Sequence, residues 1–233
     1  MKLSQGVAAV LLMAIGAVAQ AEITGTVTAV SDYDFRGITQ TSKDPALQGS
    51  IDYAHDSGFY AGAWASNVDF DTKGDIEVDL YAGFAGGETF PWDVGLVWYT
   101  YPSSDGELLD FPEIYASLGY KWLEGKIWYS SNFGGASENA IYYEANANFE
   151  LPAGFGLGLH VGKSDGDYWD TADYFDYSVG VTYTLGHFDL GLKWVDGSDL
   201  DSTDVPCESW GDASSCEARA IFSVSTTFPW SKE

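Results

Sequence analysis

Apolar and polar residues alternate along most of the chain after its first twenty or so residues. The clearest case places Ile76, Val78, Leu80, Ala82 and Phe84 on one face, and Glu77, Asp79, Tyr81 and Gly83 on the other. A period of two predicts β-strands with one apolar and one polar face. Twelve such segments follow one another, at residues 23–31, 47–55, 59–68, 76–85, 90–101, 113–122, 126–131, 141–150, 155–162, 174–184, 188–195 and 219–228.

The connections between these segments are alternately long and short. The long ones cover residues 32–46, 69–75, 102–112, 132–140, 163–173 and 196–218, and the short ones cover 56–58, 86–89, 123–125, 151–154 and 185–187. Short periplasmic turns and long extracellular loops are typical of outer-membrane barrels, which have an even number of strands in bacteria. The rhythm therefore predicts an all-β fold, a transmembrane antiparallel up-and-down β-barrel of about twelve strands and of the outer-membrane type. Strand alternation alone would equally fit a soluble sandwich with its apolar face inward.

Aromatic residues gather near the ends of the predicted strands. Examples are Tyr33, Phe35, Phe59, Tyr60, Phe90, Trp92, Trp98, Tyr99, Tyr101, Trp122, Phe149, Phe155, Phe188, Trp194, Phe228 and Trp230. Tyr and Trp rings favour the headgroup zone of a bilayer, so this placement predicts aromatic girdles at the two membrane surfaces.

The first 21 residues have the features of a secretory signal peptide. Lys2 gives a positive start, residues 7–18 form an apolar run, and residues 19–21 form an A-x-A cleavage site. We expect residues 1–21 to be removed and residues 22–233 to form a single barrel domain in the bacterial outer membrane. No second apolar run is long enough for a transmembrane helix.

The chain is strongly acidic, with 35 Asp and Glu against 10 Lys and Arg and a formal net charge of −25. This excludes a basic nucleic-acid-binding surface. The two cysteines, Cys207 and Cys216, are expected to form a disulfide in an oxidising compartment, with two free thiols as the alternative.

The polar face of the strands would line the interior of the barrel. Together with Arg36, the candidate lumen residues are Asp52, Glu77, Asp79, Asp93, Lys121, Lys126, Glu144, Glu150, Asp176, Asp189 and Lys193. An acidic lumen favours cations and repels anions. Twelve strands lie between the filled eight-stranded barrels and the open large ones, so a pore and a hydrogen-bonded plug both fit the sequence.

No motif for catalysis, metal or cofactor binding is present. The acidic loops do not complete an EF-hand, and the three histidines, His55, His160 and His187, belong to no known catalytic motif. We therefore predict a protein that is not an enzyme and has no cofactor. Its expected partners are outer-membrane lipid, lipopolysaccharide bridged by divalent ions, and small solutes.

Three stretches near the start resemble the TorF-type porin family of proteobacteria. They are SDYDFRGITQT at 31–41, DPALQG at 44–49 and GFYAG at 58–62. The family's members are catalogued as conserved proteins of unknown function, and the length and strand rhythm extend the resemblance over residues 22–233. The resemblance implies an outer-membrane porin but carries no substrate and no site residue.

Arg36 is the one basic residue in the first of these stretches. Counting from Ile23 places Tyr33 and Phe35 on the lipid side, and Asp34 and Arg36 inside. We hypothesise that Arg36 pairs with lumen carboxylates and fixes the first loop or a constriction, the alternative being a rim salt bridge of little energy. The predicted function is a monomeric or trimeric porin-like channel for passive diffusion of small polar or cationic solutes. The alternative is a closed barrel whose acidic loops bind ligands or lipopolysaccharide.

Overall fold

The computed structural model describes residues 22–70, 76–102, 110–170, 173–198 and 216–230. Its strands are β1 (Glu22–Val30), β2 (Asp34–Phe35), β3 (Ile38–Thr39), β4 (Ala46–Ala54), β5 (Phe59–Asn67), β6 (Ile76–Gly86), β7 (Trp92–Thr100), β8 (Phe111–Tyr120), β9 (Leu123–Ser130), β10 (Ala140–Glu150), β11 (Phe155–Asp165), β12 (Tyr174–Leu185), β13 (Phe188–Ser198) and β14 (Arg219–Phe228). Short 3₁₀ helices within the described ranges lie in connections, at Phe133–Gly135, Pro152–Gly154 and Asp167–Trp169.

Twelve of these strands form one closed antiparallel barrel. From β4 to β14 each strand pairs with its neighbour in the chain, and β1 pairs with both β4 and β14. Closure gives every barrel strand two partners, so no sheet edge is left open. The predicted fold of twelve antiparallel strands is confirmed, and the small β2–β3 hairpin inside the first long connection is an addition that the sequence pattern did not predict.

Some predicted boundaries were wrong by two or three residues. Residues 123–125 belong to β9, and the turn between β8 and β9 is the pair Lys121 and Trp122. Lys121 has a φ of 57°, which allows the tight reversal there. Strands β11 and β13 extend beyond the predicted 162 and 195, because cross-strand pairing continues into polar residues that the apolar alternation does not mark.

The two faces of the barrel differ sharply in polarity. Large apolar side chains are exposed on the outer face of every barrel strand except β5; they include Ile23, Ile51, Leu80, Leu96, Ile114, Ile127, Tyr143, Leu159, Val179, Leu192 and Phe222. The charged side chains that are buried point inward, as Asp52, Glu77, Glu113 and Asp176 do. Within the described ranges, no helix has the length and apolar character needed to cross a membrane.

Aromatic rings pack in pairs at the short-turn end of the barrel. The pairs, with their centroid distances, are Phe59–Phe84 (5.4 Å), Phe90–Tyr120 (5.2 Å), Trp122–Phe149 (5.3 Å), Phe155–Tyr183 (4.8 Å) and Phe228–Trp230 (5.0 Å). Four residues counted as girdle positions instead pack inside, namely Tyr33, Phe35, Tyr99 and Tyr101. The prediction that Tyr33 and Phe35 face lipid was wrong, because the chain leaves the barrel wall after β1 and turns inward.

The best-packed region lies inside the barrel, at its long-loop end. Phe111, Phe133, Trp169 and Tyr174 form one cluster there with Ile38 of the first loop. The ring centroids of Phe111 and Phe133 are 4.8 Å apart, and those of Trp169 and Tyr174 are 5.2 Å apart. The hydrophobic core therefore occupies one end of the interior and does not fill its whole length.

Candidate functional site: the interior of the barrel

Residues 31–45, here called the inner loop, fold into the barrel from the long-loop end. Strands β2 and β3 make a hairpin whose two turn residues, Arg36 and Gly37, have φ of 52° and 86°. Two-residue turns with positive φ match the twist of paired strands, and Gly adopts such a φ at no steric cost. The stretch SDYDFRGITQT thus has a structural meaning, because it forms the hairpin that carries Arg36 into the interior.

Arg36 makes a two-pronged ion pair with Glu113 on β8. Its guanidinium donates hydrogen bonds of 3.0 and 2.7 Å to the two carboxylate oxygens, and the Tyr99 hydroxyl donates a third of 3.1 Å to Glu113. The side chains of Arg36 and Glu113 are 7% and 1% exposed. Burial alone would lower the pKa of Arg36, but the adjacent Glu113 carboxylate raises it, so Arg36 stays charged.

Aromatic rings surround the same guanidinium. The Arg36 Cζ lies 4.2 Å from the ring centroid of Tyr142 and 4.7 Å from that of Phe35, with Trp128 and Phe133 at 5.6 and 5.9 Å. The Tyr174 hydroxyl donates a 3.0 Å hydrogen bond to the Arg36 carbonyl oxygen. The tip of the inner loop is therefore held by an ion pair, by ring faces and by a backbone contact.

A second group of charges anchors the base of the hairpin. Asp34 accepts hydrogen bonds from Lys193 (2.9 Å) and Arg219 (2.7 Å), and Arg219 also binds Asp32 and the Gly37 carbonyl oxygen. Burial would raise the pKa of Asp34, but Lys193 and Arg219 together lower it below its usual value. Strands β13 and β14 are thus tied to the inner loop through ionised groups.

Residues 38–41 of the inner loop are buried, and Tyr33 contacts β6. Ile38, Thr39, Gln40 and Thr41 are all buried, and the Tyr33 hydroxyl donates a 3.3 Å hydrogen bond to Glu77. Burial raises the pKa of Tyr33, and the carboxyl groups of Glu77 and Asp79 raise it further.

Polar side chains continue across the middle of the interior in one row. Cross-strand pairing sets Asp93, Ser117, Lys126, Glu144, Gly162 and Asp176 side by side on β7 to β12. Glu144 accepts hydrogen bonds from Trp128 Nε1 (2.7 Å) and Asn146 (3.1 Å). His160 lies next to this row, with its Nε2 2.9 Å from Asp176 and its Nδ1 2.7 Å from Asn146.

Tyrosine rings lie flat against the inner wall over glycines of neighbouring strands. A Cβ built on Gly62 would be 2.5 Å from the Tyr81 ring, and one on Gly95 would be 2.6 Å from the Tyr115 ring. Tyr60 lies in the same way over Gly83, and its hydroxyl donates a 2.6 Å hydrogen bond to Asp93. These glycines let large rings lie along the wall, and the rings do not project toward the barrel axis.

Solvent exposure changes along the interior. At the long-loop end Phe133 and Ser164 have none, whereas the side chains of Glu144 and His160 in the middle are 14% and 21% exposed. A packed core would exclude solvent from both levels. The interior is therefore occupied at the long-loop end by the inner loop and is partly accessible in its middle.

The sequence-predicted lumen residues fall into three groups. Arg36, Glu77, Asp79 and Lys193 lie around the inner loop. Asp52, Asp93, Lys126, Glu144 and Asp176 lie in or beside the middle of the interior. Lys121, Glu150 and Asp189 lie at the short-turn rim, where Lys121 and Glu150 are exposed and Asp189 accepts a 2.6 Å hydrogen bond from Thr184.

Two sequence predictions concern residues outside the described ranges. Cys207 lies in 199–215, so the disulfide stays a prediction, although Cys216 itself is buried. The signal peptide also lies outside these ranges. Among the residues that the structure does describe, no three His, Cys, Asp or Glu side chains are grouped to hold a metal ion.

Sequence reasoning missed Asp32, Glu113 and Arg219, the strongest partners of the inner loop. Glu113 and Arg219 lie at or near the first residue of their strands. Because Ile114 and Phe222 point outward, the alternation would have placed Glu113 and Arg219 inward. Asp32 could not have been found in this way, because it lies beyond β1 where the alternation ends.

The profile of Gcw_chp, described as a bacterial protein of unknown function, matches residues 14–228. The chain belongs to the Gcw_chp family. This match does not confirm the TorF-type resemblance, which stays a prediction. No curated protein matches the sequence.

Several solved porin structures have folds similar to that of this chain. The chain resembles the KdgM porin with a TM-score of 0.55 at 7% identity, over 89% of this chain and 99% of the other. It resembles the NanC porin with the same TM-score at 9% identity, over 90% of this chain and all of the other. A KdgM porin in complex with disordered oligogalacturonate matches with a TM-score of 0.54 at 8% identity, over 91% of this chain and all of the other. At these identities the likeness concerns the fold.

Proposed function

We propose that this Gcw_chp family member is a porin-like channel of the bacterial outer membrane that passes small polar or cationic solutes by passive diffusion. The proposal rests on the solvent access and the charge of the barrel interior. Its middle is partly accessible to solvent and lined by ionisable and polar groups, and its long-loop end is narrowed by the inner loop. A barrel that served only as a rigid body would have no need of an accessible, charged interior.

The outer face supports location in a membrane. Exposed Ile, Leu, Val, Phe and Trp side chains cover the outside of the barrel, and paired aromatic rings mark its short-turn end. Apolar patches of that extent are rare on soluble monomers, whereas a bilayer covers them. The predicted signal peptide would bring the chain to this compartment.

The negative charge of the interior supports a preference for cationic and neutral polar solutes. In the middle, Asp52, Asp93, Glu124, Glu144 and Asp176 outnumber Lys126. Oligogalacturonate, which the structure of the KdgM porin complex contains, is a polyanion. An interior with this excess of carboxylates disfavours such a solute and favours cations and neutral polar molecules.

The inner loop would act as the constriction of the channel. It enters from the long-loop side and is fixed to β6, β8, β13 and β14 by Glu77, Glu113, Lys193 and Arg219. A solute would pass beside this loop or would displace it.

The alternative function is a closed barrel that binds ligands at its surface. The packing at the long-loop end favours it, since Phe133, Trp169 and Tyr174 pack there with the inner loop. Acidic outer loops would then bind lipopolysaccharide through divalent cations.

Conductance in a planar bilayer tests the proposal. We expect purified protein to give step currents and, in a salt gradient, a reversal potential of the sign that a cation-selective pore produces. Protein unfolded by boiling is the control. Absence of steps at all voltages would favour the closed barrel, and anion selectivity would contradict the argument from interior charge. Three equal steps per insertion would indicate a trimer, and single steps a monomer.

A further inference from the structure

The ammonium group of Lys126 lies over two neighbouring aromatic rings inside the barrel. Its Nζ is 3.8 Å from the ring centroid of Tyr115 and 4.0 Å from that of Trp128. The two centroids are 4.5 Å apart and the ring planes meet at 45°, so the rings form an open angle around the charge. Ring faces at this distance attract a cation through their quadrupole.

Carboxylates surround this pair of rings. Glu144 is directly opposite Lys126 on β10, Asp93 is in the same row beyond Ser117, and Glu124 is two residues earlier on the same face of β9. Glu144 is fixed in place, because Trp128 and Asn146 each donate a hydrogen bond to one of its two oxygens. We call Tyr115, Trp128, Glu144, Asp93 and Glu124 the ammonium box.

Lys126 is not tied to any of these carboxylates. In the described part of the chain, no acidic oxygen lies within 4.0 Å of its Nζ, in contrast to Arg36, Lys193 and Arg219, which all form ion pairs. Only ring faces and the longer-range field of the carboxylates hold it. A flexible four-carbon side chain held in this way can withdraw and be replaced.

We propose that the ammonium box is a binding subsite for the alkylammonium group of a solute, and that Lys126 is its tethered occupant, which the solute displaces. Two ring faces together with fixed carboxylates are the chemistry that recognises an organic cation. The interior contains a covalently attached example of such a cation, already placed over both ring faces. The proposal deepens the proposed function, since the channel would supply the route by which the solute arrives.

Calorimetric titration of the detergent-solubilised protein with butylammonium chloride tests the subsite without requiring conductance. We expect Lys126→Met to bind butylammonium roughly tenfold more tightly than the unmodified protein, because the competing ammonium is gone and the carboxylates remain. Lys121→Met is the matched control, since Lys121 is exposed in the turn after β8, with its Nζ 5.0 Å from the centroid of the Tyr120 ring. It should bind as the unmodified protein does. Butanol, which has the same chain and no charge, should not bind to any of the three.

Equal affinity of Lys126→Met and Lys121→Met for butylammonium would overturn the proposal, and so would equal binding of butanol. Adding Glu144→Gln to Lys126→Met should reverse the gain in butylammonium affinity. An unchanged affinity in the double variant would also contradict the proposed ammonium box. Migration of unheated protein on a gel shows whether each variant is folded, and Lys126→Gln replaces Lys126→Met if the latter is not.

Conductance measured on the same preparations separates the two proposals. Binding to Lys126→Met without step currents would contradict the channel and leave the subsite standing. Step currents that butylammonium does not block in Lys126→Met, together with no binding by calorimetry, would contradict the subsite and leave the channel standing.

Discussion

A single side chain, Arg36, joins the inner loop to the opposite wall of the barrel. It pairs with Glu113, and it is flanked by the rings of Phe35 and Tyr142. Breaking a buried ion pair by removing one partner leaves an uncompensated buried charge, which is more costly than losing a surface pair. The hypothesis of a rim salt bridge does not describe this environment, because both side chains are almost fully buried.

We therefore expect Arg36→Ala to reduce the stability of the folded barrel by about 3 kcal/mol, since Glu113 would remain buried without its partner. Thermal unfolding followed by circular dichroism measures the change. Lys43→Ala is the control, because Lys43 pairs with Glu217 at the surface and should have almost no effect. Adding Glu113→Gln to Arg36→Ala should restore part of the loss. Equal melting temperatures for Arg36→Ala and Lys43→Ala would show that the pair does not hold the loop.

At the scale of the elements, the strands are built to keep the interior accessible. Inward glycines on β5, β6 and β7 receive the rings of Tyr81, Tyr60 and Tyr115, which keeps these rings along the wall. The inner loop is the opposite case, because its hairpin is built to enter the interior. The width of the passage depends on both kinds of element.

Gly95→Ala on β7 should lower single-channel conductance. Its Cβ would lie 2.6 Å from the Tyr115 ring and 2.9 Å from the Tyr60 hydroxyl, so these rings would have to move toward the axis. The matched control is Gly180→Ala on β12, where the nearest atom to the new Cβ is 3.6 Å away and nothing must move. Planar-bilayer recording of both variants measures the difference. If both conducted alike, the tyrosine rings would not limit the passage.

The whole molecule combines an apolar exterior with an acidic interior. Twelve strands close completely, so backbone hydrogen bonds are satisfied within the wall, as a lipid environment requires. Leu159 is a typical outer-face residue, 42% exposed in the middle of β11 and paired with Ala147 and Val179. On a soluble barrel such a side chain would face water.

Leu159→Lys therefore tests membrane insertion of the whole barrel. In lipid vesicles we expect it to destabilise the fold by about 2–4 kcal/mol, the cost of a lysine near the bilayer midplane. On a water-exposed surface the same change would have little effect. Leu159→Phe keeps the position apolar and should be tolerated. Urea unfolding in vesicles, followed by tryptophan fluorescence, measures both variants, and an unchanged midpoint for Leu159→Lys would contradict insertion.

The sequence by itself determined the barrel. Alternation with a period of two defined the strands, and the alternating lengths of the connections predicted an even-numbered up-and-down closure, because a strand must reverse at each end of the wall. Both signals are local, because each can be recognised within about ten residues of sequence. The inward position of Asp52, Glu144 and Asp176 follows from the same periodicity.

The tertiary structure decided what fills the interior. Tyr33 and Phe35 continue the alternation of β1 and yet lie inside, because the chain leaves the wall after Val30 and pairs with itself in the β2–β3 hairpin. Glu113 and Arg36 are 77 residues apart in the sequence, and Arg219 and Asp34 are 185 apart. Such contacts depend on how a closed barrel brings distant strands around one loop. No local sequence pattern indicates that arrangement. The barrel could therefore be predicted from the sequence, whereas the partly filled interior could not.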